Sequence, residues 1–171
     1  MLAILFVLIA VIWRVAFTDA HNFTPVLASL LFFGSRMPRR WLWAPVAALA
    51  VSDVYLNLFH YGYRVTPDLF VTWAWYAGMI WLGSLLQRKQ NFVRTASVAL
   101  AGSISFFLIS NFMVWLIWHM YPMTLAGLTR CYAAAVPFFR NQFAGDMIFT
   151  AAFFGVAVLL HEREATSEAA A

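Results

Sequence analysis

Six runs of apolar residues, separated by short polar stretches, organise the sequence: Leu2–Phe17, Pro25–Gly34, Trp41–Phe59, Leu69–Leu86, Ala96–Trp118 and Phe143–Leu160. They are apolar on every face, whereas the strands of a membrane barrel alternate apolar and polar residues over about ten positions, so each run predicts a helix. A helix needs roughly 20 residues to cross a hydrocarbon core of about 30 Å, and the second run is too short to do so comfortably. The expected fold is all-α, an integral membrane bundle of about six transmembrane helices. Residues 1–160 form its single domain, and residues 161–171 a short polar cytoplasmic tail that frays into solvent. Leu2–Phe17 has neither a basic start nor a small-residue cleavage site, so it reads as the first span.

Composition strengthens that reading. The chain has 171 residues, of which 64% are hydrophobic, 18% aromatic and only 11% charged, against roughly 25% charged in soluble domains. A soluble core of this size could not hide so many large side chains. The net charge of +4 is scattered between apolar runs and is no nucleic-acid footprint. Arg36, Arg39, Arg40, Arg88, Lys89, Arg94 and Arg163 fall on one side of a six-span topology; Arg14, Arg64, Arg130 and Arg140 fall on the other. The richer side is cytoplasmic, with both termini there, as for a multi-pass protein of a cell inner membrane. In the fifth run Ser97, Ala101 and Ser105 make a small-residue stripe suited to close helix packing.

The outer connections and adjoining helix ends gather most of the other polar residues, Asp146 among them. Asp53 is the sharpest, because a carboxylate inside an apolar helix costs about 2.5–3.5 kcal/mol unless paired or hydrated. Asn57 is one turn on, on the same face, with His60 nearby. Arg14 is a possible structural partner, which would explain Asp53 without a ligand. His21-Asn22-Phe23-Thr24-Pro25 precedes the short second run. Thr24 or Asn22 can cap that helix and Pro25 suits its first turn. Unwound backbone here fits a cavity lining; a short membrane-thinning span fits nearly as well. The long connection His119–Asn141 is too apolar for a free loop and too interrupted for a span, which suggests a lid over an outer cavity or an interfacial helix. Cys131 is the single cysteine; it forms no intramolecular disulfide and is either a soft donor to a metal centre or a small packed residue. His21, His60 and His119 lack close ligand spacing. No G-x-S-x-G, H-E-x-x-H or P-loop is present, so no catalytic residue or intrinsic ATPase is expected, and the leading reading calls for no resident cofactor.

Asn22-Phe23-Thr24-Pro25, Ser52-Asp53, Asn111-Phe112 with Trp115, Tyr121-Pro122, Gly127-Leu128, Cys131-Tyr132 and Pro137-Phe138-Phe139 together resemble a family of small bacterial membrane proteins of unassigned function. That family is in turn similar to the substrate-binding S components of energy-coupling factor (ECF) transporters. The resemblance implies six helices around an outward-facing pocket, capture of a vitamin or similar micronutrient, and an energising ATPase module as a separate partner. By it, the stretch Asn22–Pro25, Asp53 and the lid around Cys131 fall where a pocket is expected; with the polar residues of the outer layer, the expected lining is His21, Asn22, Thr24, Asp53, Asn57, His60, Asn111, Tyr121, Cys131 and Tyr132. The first helix has Ala3, Ala10 and Ala16 instead of the A-x-x-x-A pattern with which S components commonly dock on the shared module, so a solitary carrier or another partner is implied. Two other readings stay open: a structural or assembly subunit of a membrane complex, and a haem- or metal-binding membrane protein.

Overall fold

The shortest apolar run becomes the centre of the molecule. The computed structural model describes residues 1–19, 22–87 and 90–169, with side chains up to Leu160 apart from that of Arg39. The six helices are α1 (Leu2–Ala16), α2 (Val26–Arg36), α3 (Trp43–Tyr55), α4 (Pro67–Ser84), α5 (Phe92–Trp118) and α6 (Leu125–Ala169), with no strand among the described residues. Every residue of α2 from Val26 to Ser35 is buried. A helix apolar all round is a buried helix, and α2 packs most extensively against α4, then against α1 and α6. At 11 residues it is only about 16 Å long. It is therefore a short helix enclosed by its neighbours and not a thin span facing lipid. The Ser29 and Ser35 hydroxyls donate to the Val26 and Phe32 carbonyls at 2.8 Å, so neither is left unpaired.

Glycines set the closest approach. A Cβ on Gly34 would overlap the Ile80 carbonyl of α4, and one on Gly83 would overlap the Leu31 backbone of α2. Small residues on both helices let their backbones nearly touch. Aromatic side chains fill the space beside this crossing: Phe6 of α1 stacks on Phe153 of α6 at 3.9 Å and meets Phe32 of α2 edge-on at 4.8 Å.

Pro67–Gln87, Phe92–Trp118 and Leu125–Leu160 are long and apolar enough to cross a membrane; α1 and α2 are shorter apolar helices. α5 and α6 form an antiparallel pair, since Leu108, Asn111 and Ser103 of α5 meet Tyr132, Cys131 and Gln142 of α6. Of the connection His119–Asn141, expected to be a lid or an interfacial helix, the part from Leu125 onward is the first part of α6. Pro137 lies inside that helix, and it and Arg130, Arg140 and Asn141 are exposed. These residues interrupt the apolar pattern without breaking the helix, because they fall on its open surface. Past residue 160 the helix continues to Ala169, where a frayed tail was expected.

Two packing expectations also shift. Ser97 and Ala101 are exposed, and the buried small face of α5 is Thr95, Ala99, Gly102 and Ser103. Pro25 is the N-cap of α2 and no side chain caps that helix, so neither Asn22 nor Thr24 serves as its cap.

Candidate functional site

Arg14, in the last turn of α1, organises the polar interior. Its guanidinium pairs with the Asp53 carboxylate of α3, and its other Nη donates to the Tyr76 hydroxyl of α4 at 3.0 Å. The second Asp53 oxygen accepts from the Trp73 indole at 3.0 Å. Asp53 is 6% exposed, and its charge is met by one cation and two hydrogen bonds. The pairing with Arg14 expected as a structural partner for Asp53 is present.

A second buried acid lies on α6. Asp146 is 4% exposed and Gln142, one turn earlier, is 8% exposed. The Gln142 amide donates to the Ser103 carbonyl at 3.1 Å and reaches Asp146 only at 3.5 Å. The Ser103 hydroxyl also stands against Asp146. Arg14–Asp53 is the one ion pair found among the described residues, so Asp146 has no paired cation there.

Between these acids is a cavity of about 130 Å³ lined by Arg14, Asn22, Thr24, Val26, Leu27, Trp75, Tyr76, Phe106, Gln142 and Asp146. A neighbouring chamber of about 120 Å³ shares Arg14, Asn22 and Thr24 and adds Phe17, Thr18, Leu56 and Tyr61. The turn joining α1 to α2 forms the common wall. It is held by the Trp13 indole, which donates to the Phe23 carbonyl at 2.8 Å. It is also held by close approach to α6, since a Cβ on Gly145 would stand 3.2 Å from the Thr24 nitrogen and the Phe23 ring. This turn meets α6 at Gly145, twenty residues into that helix, and the cavity it walls reaches α5 at Phe106. Phe106 is twelve residues, about 18 Å, short of the end of α5. Irregular backbone at such a place is tolerated where it lines a protein cavity. Asn22 is held there with φ at 70°, a left-handed conformation that asparagine tolerates better than most residues.

Of the ten residues expected to line one pocket, the nine that are described are dispersed. Asn22 and Thr24 line both chambers. Asp53 bounds neither and acts on them through Arg14. Asn57 and His60 sit on the π-helical turn Leu56–His60 that continues α3, with Asn57 half-buried and His60 exposed. Asn111, Cys131 and Tyr132 join α5 to α6: the Cys131 thiol donates to the Asn111 carbonyl at 3.4 Å and the Tyr132 hydroxyl to the Leu108 carbonyl at 2.7 Å. The Asn111 amide turns back on the Phe107 carbonyl at 2.8 Å. Tyr121 lies half-buried just before α6. His21, like Arg88 and Lys89, lies outside the described residues. Among the described residues no three His, Cys, Asp or Glu side chains gather as a metal site would need. Trp73, Tyr76, Gln142 and Asp146 were not singled out as site residues. Gln142 and Asp146, at i and i+4 in an apolar helix, were the signal that could have found the α6 wall.

A larger cavity lies elsewhere. A groove of about 460 Å³ between α5 and α6, lined by Phe92, Thr95, Met147, Thr150 and Phe154 among others, gathers none of the candidate residues and is mostly apolar. No curated protein and no solved structure matches this chain. Residues 1–169 match a family described as a family of unknown function (DUF6580), and the chain belongs to that family.

Proposed function

We propose that the protein binds a small molecule in the Arg14–Asp146 cavity and that this binding serves uptake across a bacterial inner membrane. The observation that carries the reading is convergence. Polar side chains from α1, the α1–α2 turn, α4 and α6 meet around one space inside otherwise apolar helices. A few polar groups fixing orientation within apolar walls is what small-molecule sites have in common. The 460 Å³ groove has more room, but its open apolar walls suit an acyl chain and supply little specificity.

The S-component-like form of this reading adds a vitamin or similar micronutrient as ligand, cytoplasmic termini, and outward opening at the α1–α2 turn. Sites for drug-sized ligands measure roughly 300–1,000 Å³, and neither polar chamber is that large. A vitamin enters with its polar end, or the turn swings aside. Ala3 and Ala10 of α1 are buried in the protein's own core, so they offer no docking stripe to an ATPase module. The proposal therefore favours a solitary carrier or a differently docked partner.

The test is native mass spectrometry on protein gently extracted from its own membrane, beside Thr24→Val and Asn22→Ala variants. A bound small molecule that the variants lose supports the reading. Protein that carries only lipid together with a stoichiometric second polypeptide shifts the function to an assembly subunit.

A further inference from the structure

Resting on that binding reading, we propose that the cavity recognises its ligand through a protonated amine held by Asp146. The first argument is charge balance. Arg14 is already neutralised by Asp53 and directed toward Tyr76. Asp146 lines the same cavity, nine-tenths buried, with the Ser103 hydroxyl against it, a marginal contact to the Gln142 amide, and no paired cation among the described residues. A ligand completing this site brings one positive charge to α6. The second argument is the wall facing it. Trp75 and Phe106, with ring centroids 4.7 Å apart, line the cavity beside Asp146. Aromatic faces with a carboxylate are the surroundings in which ammonium groups are held. Asn22 and Thr24 supply neutral oxygens for the remaining N–H donors. A volume near 130 Å³, well below the roughly 300–1,000 Å³ of sites for drug-sized ligands, suits a small amine or the aminoalkyl end of a larger molecule.

An amine of this size has two sources, a free solute or the headgroup of an aminophospholipid. The experiment separates them by placing the protein in nanodiscs of phosphatidylglycerol alone or with phosphatidylethanolamine, and following thermal unfolding with ethylammonium chloride, acetamide or sodium acetate at constant ionic strength. A saturable rise in Tm with ethylammonium alone is expected in phosphatidylglycerol. Asp146→Asn weakens it roughly tenfold or more, the loss of a charge-assisted hydrogen bond; Asp146→Glu keeps part of it. Loss of the response when phosphatidylethanolamine is present assigns the site to a lipid headgroup, and persistence assigns it to a solute. Mass spectrometry of the ligand from native membranes supplies a second readout. A ligand without a basic nitrogen, or one retained by Asp146→Asn, overturns the amine and leaves the binding reading intact. No ligand in the wild type and no response to any probe overturns both.

Discussion

Asp53 and Asp146 are buried to nearly the same extent, 6% and 4% exposed, and both sit in helices rich in apolar residues. What surrounds them differs. At the α1–α3–α4 side, Asp53 has a guanidinium and an indole, and that guanidinium is itself tied to Tyr76. At the α6 side, Asp146 has a glutamine at the limit of hydrogen bonding, a serine hydroxyl and open space. Burial makes a carboxylate costly in both places. Only the count of partners separates an acid that closes the structure from one left facing a vacant volume.

The largest effect is expected where charges cancel. Removing one member of a buried pair strands the other and costs about 3–5 kcal/mol, while replacing both with apolar residues is often close to neutral. Arg14→Met and Asp53→Asn should each lower stability by about that amount, and the Arg14→Met/Asp53→Leu double variant should recover most of it. Reversible unfolding in mixed micelles, arranged as a double-mutant cycle, gives the coupling. Single variants that lose less than about 1 kcal/mol, the range of exposed pairs, would show that water or a ligand shares the Arg14 end. Asp53 would then resemble Asp146.

The glycines allow a sharper comparison of the two sides. Gly34 faces the Ile80 carbonyl with no room for a methyl group, so Gly34→Ala forces α2 from α4 and should cost about 1–3 kcal/mol, with ligand selectivity unchanged. Gly145 is less confined, at 3.2 Å from Thr24 and Phe23. Alanine there regains about 1 kcal/mol of helix propensity, which offsets much of the crowding. Gly145→Ala should therefore leave the unfolding midpoint nearly unchanged while displacing the α1–α2 turn and weakening binding. The opposite pattern, with Gly145→Ala unfolding the protein and Gly34→Ala impairing only binding, would break the division between a packing side and a site side.

Much of this was legible from the pattern of residues, for identifiable reasons. The apolar runs announced the helices because an uninterrupted apolar surface has few other outcomes. Arg14 could be named as a partner for Asp53 because few charged residues fall within the runs. The first half of α6 was hidden, since Pro137, Arg130, Arg140 and Asn141 look like interruptions until the helix is seen to place them on its exposed surface. The packed face of α5 was missed by two residues, because Ser97-Ala101-Ser105 and Thr95-Ala99-Ser103 are equally small and only the neighbouring helices choose between them. The α6 wall depends on the α1–α2 turn meeting Gly145, a long-range contact that no local pattern encodes.

Asp146→Asn reverses the expectation for Asp53. Among the described residues Asp146 has no cation to offset the desolvation cost of its charge, and asparagine keeps an oxygen for Gln142. The variant should match or slightly exceed the wild type in stability, within about 1 kcal/mol, measured by the same unfolding assay without ligand. A loss near that of Asp53→Asn would mean that Asp146 is part of the fold's own polar network.

The smallest effect is expected far from both acids, where α5 and the first half of α6 are joined. Tyr132→Phe removes one hydrogen bond, to the Leu108 carbonyl, on a side chain that is only half-buried. Such a bond contributes about 0.5–1.5 kcal/mol. Tyr132 bounds neither polar chamber, so the variant should bind ligand as the wild type does. That outcome confines the site to the region between Arg14 and Asp146. A clear loss of binding with stability intact would instead show that the α5–α6 pair bends over the chambers during capture, and the first half of α6 would then act as the mobile cover its sequence suggested.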